Sequence, residues 1–481
     1  MSTKINDILN AERLGSYQPN RFLVTLGDGT PFFNINDNGE VSSNQNDYLA
    51  VYIHEYWHYL QNVTTIAGVA VFFLMQELAA LFSRTLEESS SGEINSKGST
   101  GFEPADQESF DNVMAMFNAM QGTMKPARLR ANPIKDWAIQ DMKKEEVELT
   151  WRGKRLIRHQ LVLKFTINYS NGATDTSAQL QVGAGSIQES IAYLVERHLG
   201  SKDSSLKIET SPPFPYTVLE KIIEHVVGSN NDPLDIIASI GTLSLMSNNP
   251  AAALYDFVVD YGTYRRSGTG PFASLNRILQ RSLPSIHESF NTVLAGDLFS
   301  IETMHTGRGL VEKGAKYIVA VIRKAMQRRL EHPLFDLDFS TKNTPKQVIK
   351  SINKLLSHFP PCDVLQEMSG KLHDVMRDFL GTSHPIPMQN DFQISDGIRA
   401  LQSQQHFMLR HLRTKGFVPT NVAVGSDSRC PYYTVCNLHL RQNSASICDS
   451  APWKHWRKAD GPACWYTTGV AGTAGLVTIK T

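Results

Sequence analysis

The chain has 481 residues, 41% hydrophobic and 20% charged, with 47 Lys+Arg balanced by 47 Asp+Glu. These values are ordinary for a soluble globular protein, and a formal net charge of zero argues against binding nucleic acid or an anionic membrane through bulk electrostatics. At roughly 100–200 residues per domain, the length accommodates two to four domains.

The first twenty residues are polar and have no apolar stretch after a basic start, so they do not read as a secretory signal. Residues 21–35 read as a hairpin: Phe22, Leu23, Val24 and Leu26 lead into a Gly27-Asp28-Gly29 turn, and Phe32, Phe33 and Ile35 follow it. Residues 42–46 supply capping side chains. Residues 47–67 contain neither Gly nor Pro and are mostly apolar, which predicts a long helix. A second apolar helix is expected over 69–82. The longest apolar run, 66–75, has ten residues. A membrane span needs about 20, so this run points to a buried helix in a soluble, cytosolic protein with no membrane span.

Residues 87–104 are rich in Ser, Gly and Glu and read as a mobile loop. A helix is expected over 107–121. Strands are expected over 147–151, 156–169 and 177–182, with Asn171-Gly172 as the turn between the last two. An amphipathic helix follows over 186–199. From Tyr216 to about residue 413 the pattern is mostly helical, with breaks at 230–233, Pro284, Pro333 and Pro385. The last 55 or so residues carry four of the five cysteines, Trp453, Trp456, Trp465 and many Gly and Ser. No internal repeat is visible. The fold class expected is α+β, predominantly α-helical.

One motif is specific. His54-Glu55-Tyr56-Trp57-His58 matches H-E-x-x-H inside the first long helix. Residues four apart on a helix lie about 40° apart, so both imidazoles project from one face. They can then bind one Zn²⁺ at about 2.0–2.1 Å. Glu55 sits about 100° further round, able to take a proton from a metal-activated water without occupying a metal position. At the His and Glu content of this chain, chance supplies roughly 0.02 such matches. The competing reading is a pair of satisfied histidines on a buried helix. The aromatic filling of the motif, Tyr52, Tyr56, Trp57 and Tyr59, reads as core packing.

The motif resembles the zincin class of metallopeptidases, over this helix and little more. That resemblance implies a third ligand from downstream. The longer metzincin pattern is absent, since Gln61 and Thr64 hold its glycine and third-histidine positions. An acid on a second helix, as in the gluzincins, is the other common arrangement. Glu189, within residues 185–196, is the candidate, and its helix resembles the E-x-x-A helix of several gluzincin-like families. Ser190 and Ala192 are small enough for the two helices to approach closely. The N-E-x-x-x-D form is not matched: Gln188 and Tyr193 stand at the Asn and Asp positions, which leaves the partner of the histidines open. Glu196, seven residues on and on the same face, is either that partner or the ligand itself. Both acids also fit the exposed side of an amphipathic helix. For the oxyanion donor that peptide hydrolysis requires, Tyr216, Tyr261 and Tyr264 are candidates.

The spacing Cys430-x5-Cys436-x11-Cys448-x15-Cys464 lacks the close pairs of a zinc ribbon, and His439 and His455 lie within it. A structural zinc, an iron–sulfur cluster and free or disulfide-linked cysteines all remain open. Cys362 reads as a plain thiol. Arg323, Lys324, Arg328 and Arg329 form a basic helix patch that reads as a solvated face, and no nucleic-acid partner is expected. Residues 266–270 lack the lysine of a phosphate-binding loop and read as an ordinary turn.

The sequence therefore predicts three regions: a zincin-like catalytic core over 1–204 with loop 87–104, a helical region over 205–425 completing the cleft or giving specificity, and a Cys-rich, metal-binding module over 426–481. The function expected is a cytosolic zinc hydrolase, a protease with a narrow set of protein or peptide substrates. The alternative is a non-catalytic interaction protein with a structural or degenerate zinc helix.

Overall fold

A computed structural model of the chain describes residues 15–18, 22–26, 33–35, 41–43 and 49–476, except 127–128, 130–131, 203–211, 229–231, 342–344, 360–362, 369–370, 375–391, 424–428, 434–435, 437–441, 457–460 and 462–463. Among these residues the fold is predominantly α-helical, with several small sheets. The expected turn at Gly27-Asp28-Gly29 and the expected break at Pro385 lie outside the described residues.

The N-terminal strands do not form the predicted hairpin. Strand β1 (Gly15–Gln18) pairs antiparallel with β2 (Leu23–Leu26), while β3 (Phe33–Ile35) pairs with β4 (Val41–Ser43) in a separate two-stranded sheet. The other edge of β2 is taken, in parallel, by β10 (Asp363–Met368), which continues into β11 (Lys371–Asp374). A partner 340 or so residues away in the chain carries no local sequence signal, and local pairing rules miss it.

Helix α1 (Leu49–Thr64) carries the motif, and α2 (Ile66–Ser83) follows after a single residue. The predicted first helix continued to 67. It ends earlier because the Thr64 and Thr65 hydroxyls donate to the Leu60 and Gln61 carbonyls, both at 2.6 Å, while Thr65 Oγ1 accepts from Gly68 N–H at 3.1 Å and caps α2. The two helices cross so closely that a Cβ on Gly68 would lie 2.3 Å from Asn62 Cα. By length and composition α2 could cross a membrane, but 78% of it is buried inside the fold, as expected for a core helix.

The segment expected to be a mobile loop, 87–104, is instead ordered. Strands β5 (Leu86–Glu88) and β6 (Ile94–Ser96) form a hairpin, and a 3₁₀ turn covers Gly98–Gly101. Distant chain fixes it: Ser96 N–H donates to Thr420 Oγ1 at 2.7 Å, and Phe417 N–H to Ser99 Oγ at 2.6 Å. Helix α3 (Pro104–Gln121) then leads to a three-stranded antiparallel sheet of β7 (Ile134–Trp151), β8 (Lys154–Tyr169) and β9 (Thr174–Val182). β7 is far longer than predicted. Its first part, rich in Lys, Asp and Glu, is largely exposed on both faces and lacks the apolar alternation that marks a half-buried strand. In β9 the alternation holds, with Ala178, Leu180 and Val182 facing the core.

Gly183 turns β9 into α4 (Ala184–Lys202). A Cβ there would sit 2.5 Å from the Gln121 carbonyl carbon, so glycine lets the start of α4 lie against the end of α3. Downstream come α5 (Val218–Val227), α6 (Leu234–Leu245), α7 (Pro250–Arg266), α8 (Pro271–Ala295), α9 (Asp297–Met304), α10 (Leu310–Glu331), α11 (Pro345–His358) and α12 (Phe392–His411). The predicted break at Pro284 does not occur, and α8 runs through it. The buried stripe of Leu275, Ile278, Ile286, Phe290 and Val293 holds both halves on one axis despite the lost hydrogen bond. The C-terminal segment contains a short helix, Ala445–Ser450, and α13 (Trp465–Thr473).

Two main apolar clusters result. The larger joins α1, the β7–β9 sheet, α4 and helices α5 to α11, so it draws on residues both before and after 205. The second lies between α2, α3, α12 and the C-terminal Trp453, Trp456 and Tyr466.

Gly68→Ala should destabilise the protein by about 1–3 kcal/mol, the usual cost of overpacking a tight contact, measured by denaturant unfolding. Wild-type stability in that variant would contradict the α1–α2 crossing described here.

Candidate metal centre

The site is built by two helices. α1 presents His54 and His58 on one face, their rings 4.9 Å apart between centroids and their Nε2 atoms 3.2 Å apart. α4 packs against α1, with Gln188 meeting Gln61 and Asn62 at the contact. It delivers Glu189, whose Oε2 lies 3.3 Å from His54 Nε2 and 3.5 Å from His58 Nε2. Donors held about 2.0–2.2 Å from one tetrahedral metal lie about 3.3 Å apart, so these three atoms have the spacing of a ligand set. Among the described residues, they are the His/Cys/Asp/Glu group of three or more whose ligand atoms all fall within 4.8 Å of one another.

The far side of each ring is also held. His54 Nδ1 lies 3.2 Å from Glu196 Oε2, and His58 Nδ1 lies 3.3 Å from Gln61 Oε1. Both partners are oxygen acceptors, so each Nδ1 carries a proton and each Nε2 faces Glu189 as the nitrogen that ligates once it is deprotonated. Glu196 thus occupies the position of a histidine partner, one of the two roles open to it from sequence. The role of Gln61 was not foreseen. It also donates through Nε2 to the Gln188 carbonyl at 3.3 Å, and Gln188 Nε2 reaches Asn62 Oδ1 at 3.4 Å. Gln61 stands three residues after His58, the helical spacing of adjacent side chains, and that was the available signal.

The glutamates around His54 favour positive charge among these groups, and without a metal a proton on the imidazole supplies it. The protein's ionisation shows the demand. Burial pushes His54 towards its neutral form, but hydrogen bonds to Glu189 and Glu196 and the charge of Glu55 outweigh it and hold its pKa up to about 10. A metal ion would answer the same negative field. The donor set of two imidazoles and one carboxylate suits Zn²⁺.

Glu55 is buried, next to His54 on α1 and outside the ligand group. Tyr216 ends the short turn Pro213–Tyr216, which is tied to α4 where Ser190 Oγ donates to the Pro215 carbonyl at 2.8 Å. Its ring lies 5.9 Å from the His54 ring and 5.4 Å from that of Tyr193. The other two tyrosines belong elsewhere: Tyr261 donates to Asp232 at 2.9 Å, and Tyr264 lies under Arg277. Tyr52, Tyr56, Trp57 and Tyr59 are core residues, as expected.

Cys430, Cys436, Cys448 and Cys464 lie in the C-terminal segment and are not joined by disulfides; Cys362 and His439 lie outside the described residues. Three residues of the basic patch are paired. Arg323 makes a two-pronged contact with Glu302 at 2.8 Å, Arg328 pairs with Glu331, and buried Arg329 pairs with Asp336. No protein-family model, curated protein or solved structure matches this chain.

His54→Ala and His58→Ala should each remove most of the metal bound at this site. Glu196→Gln should weaken binding by about 10–100-fold, the usual effect of losing a carboxylate behind a ligating histidine; an unchanged dissociation constant would remove Glu196 from the site. Metal must displace a proton from His54 at any pH below about 10. Apparent affinity should therefore fall as pH falls, by about tenfold per unit for one displaced proton, read by competition titration with a chelator of known pH dependence.

Proposed function

We propose that this protein is a zinc-dependent hydrolase, a protease acting on a narrow set of intracellular protein or peptide substrates. The observation that carries the reading is the convergence of His54 Nε2, His58 Nε2 and Glu189 Oε2 at 3.2–3.5 Å. Three protein donors leave a coordination position free, which is the pattern of catalytic sites; structural sites take four. A zinc ion held there would supply a Lewis acid that polarises a scissile carbonyl and acidifies water. The chain's own residues do the rest. Glu55 accepts the proton of the attacking water and hands it to the leaving amine. Glu196 and Gln61 keep both imidazoles in the tautomer that turns Nε2 inward. Tyr216, whose ring lies beside His54, would donate to the developing oxyanion.

One observation favours the second reading, a non-catalytic interaction protein with a structural zinc helix. The side chains of His54, His58 and Glu189 are only 9%, 12% and 15% exposed, so substrate has a narrow approach.

Glu55→Gln separates the two. It should keep the metal and lower turnover by roughly 10²–10⁴-fold, the range for loss of a general base. The readout is the set of new N-termini in cells expressing wild type or variant. Identical sets would remove the hydrolase and leave the structural reading.

A further inference from the structure

The C-terminal cysteines are surrounded by donors aimed at sulfur. The Tyr432 backbone N–H donates to the Cys430 thiol two residues before it. The Tyr466 N–H does the same for Cys464, also two residues before it. Cys464 caps α13, so its sulfur also accepts from the Thr467 N–H, with the Thr467 hydroxyl 3.7 Å away. Cys448 Sγ lies 3.1 Å from His455 Nε2. Two of the four sulfurs thus accept backbone N–H groups, and a third lies against an imidazole nitrogen. A neutral thiol is a weak acceptor, and such donors are worth most to a thiolate.

The four also share one neighbourhood. Cys430 N–H donates to the Cys448 carbonyl at 2.9 Å, and the charges of Cys464, Cys448 and Cys436 all act on Cys430. Cys436 and Cys448 are buried and no disulfide joins any of the four. Arg399 from α12 lies over the rings of Trp465 at 4.5 Å and Tyr432 at 5.9 Å, which places a cation beside the chain at Cys464 and Cys430. N–H donors at sulfur and a neighbouring guanidinium suit thiolates, the form in which cysteine holds a thiophilic cation.

We infer that Cys430, Cys436, Cys448 and Cys464 form a second metal site, a mononuclear four-thiolate zinc centre, with His455 as a positioning residue that donates to Cys448. The four sulfurs are not drawn to ligand spacing as they stand, since the group with that spacing among the described residues is His54/His58/Glu189. Metal binding closes the remaining distance, displaces the thiol protons and converts binding energy into order in the segment. The site is distinct from the helix pair in both donor set and role. With four protein donors it is closed, as structural zinc sites are.

The test uses the full chain. Wild type should bind about two zinc equivalents, and its cobalt-substituted form should show a sulfur-to-cobalt charge-transfer band, which imidazole and carboxylate donors do not give. The His54→Ala/His58→Ala chain should keep one equivalent, with X-ray absorption placing four sulfur scatterers at about 2.3 Å. Cys464→Ser should lose the band and one equivalent. Wild-type cobalt protein without the band would overturn the inference, and needs no variant to fold. So would a nitrogen–oxygen shell in the histidine variant, or an iron–sulfide chromophore in the isolated protein. If wild type binds one metal, and that metal has the sulfur shell, the histidine site fails while this one stands.

Discussion

His54 is gripped from both sides by one helix, and the approach of that helix to α1 sets everything else about the site. Glu189 and Glu196 are seven residues apart on α4, close to two helical turns, so they share a stripe. Glu189 reaches Nε2 at 3.3 Å and Glu196 reaches Nδ1 at 3.2 Å. This works only if the backbones lie close. Gln188 meets Gln61 and Asn62 across the interface, and Gly183 lets the first turn of α4 seat against the end of α3. Ser186 adds a tie, its hydroxyl donating to the Thr123 carbonyl at 2.9 Å.

The opposite end of α1 is fixed as firmly. Thr64 Oγ1 accepts from Arg329 Nη2 at 2.7 Å, and Arg329 is paired with Asp336 while fully buried on α10. Midway, Tyr56 OH donates to the Phe359 carbonyl at 2.9 Å. Truncating either member of a buried pair leaves the other charge uncompensated, so Arg329 belongs to the support of the motif helix and not to a surface patch. The aromatic residues of the motif fill the core around the same helix. The ligand helix is therefore held against β1 and β2, α4 and α10 at once, which is what positioning two imidazoles to within fractions of an ångström requires.

The site was more legible in the sequence than the fold around it. H-E-x-x-H is a local pattern, and its geometry follows from helical pitch alone. Glu189 emerged because an acid with small neighbours on an amphipathic helix is also a local pattern. Glu196 was narrowed to two roles, and only the structure could separate them, because the choice depends on which ring nitrogen it meets. Gln61 was noted only for the pattern it failed to match. Among the elements, long helices and the Asn171-Gly172 turn were local and were found. The exposed ribbon of β7 has no buried face to write an alternation into its sequence. The partners of β2, and the order of residues 87–104, depend on chain more than 300 residues away, and no window over the sequence contains that information.

The two proposed metal sites differ in a way that matches their donors. Around His54 the negative charge comes from three glutamates, two of which already contact its ring, and three donor atoms converge with no fourth among the described residues. In the C-terminal segment the donors outnumber what an open site would need, and the N–H groups of Tyr432, Tyr466 and Thr467 are spent on sulfur. The path between them is packed helix throughout. α13 lies on α12, α12 lies on α10, and α10 holds the end of α1 through Arg329. Gly469 on α13 has no room for a Cβ, which would lie 2.2 Å from the Ala400 carbonyl oxygen, so the last helix seats directly on the α12 backbone. Order in the cysteine segment therefore bears on α12 and the second core, while the chemistry assigned to α1 depends on the first. The proposed four-thiolate site would sit against the second core, and the proposed three-donor site within the first.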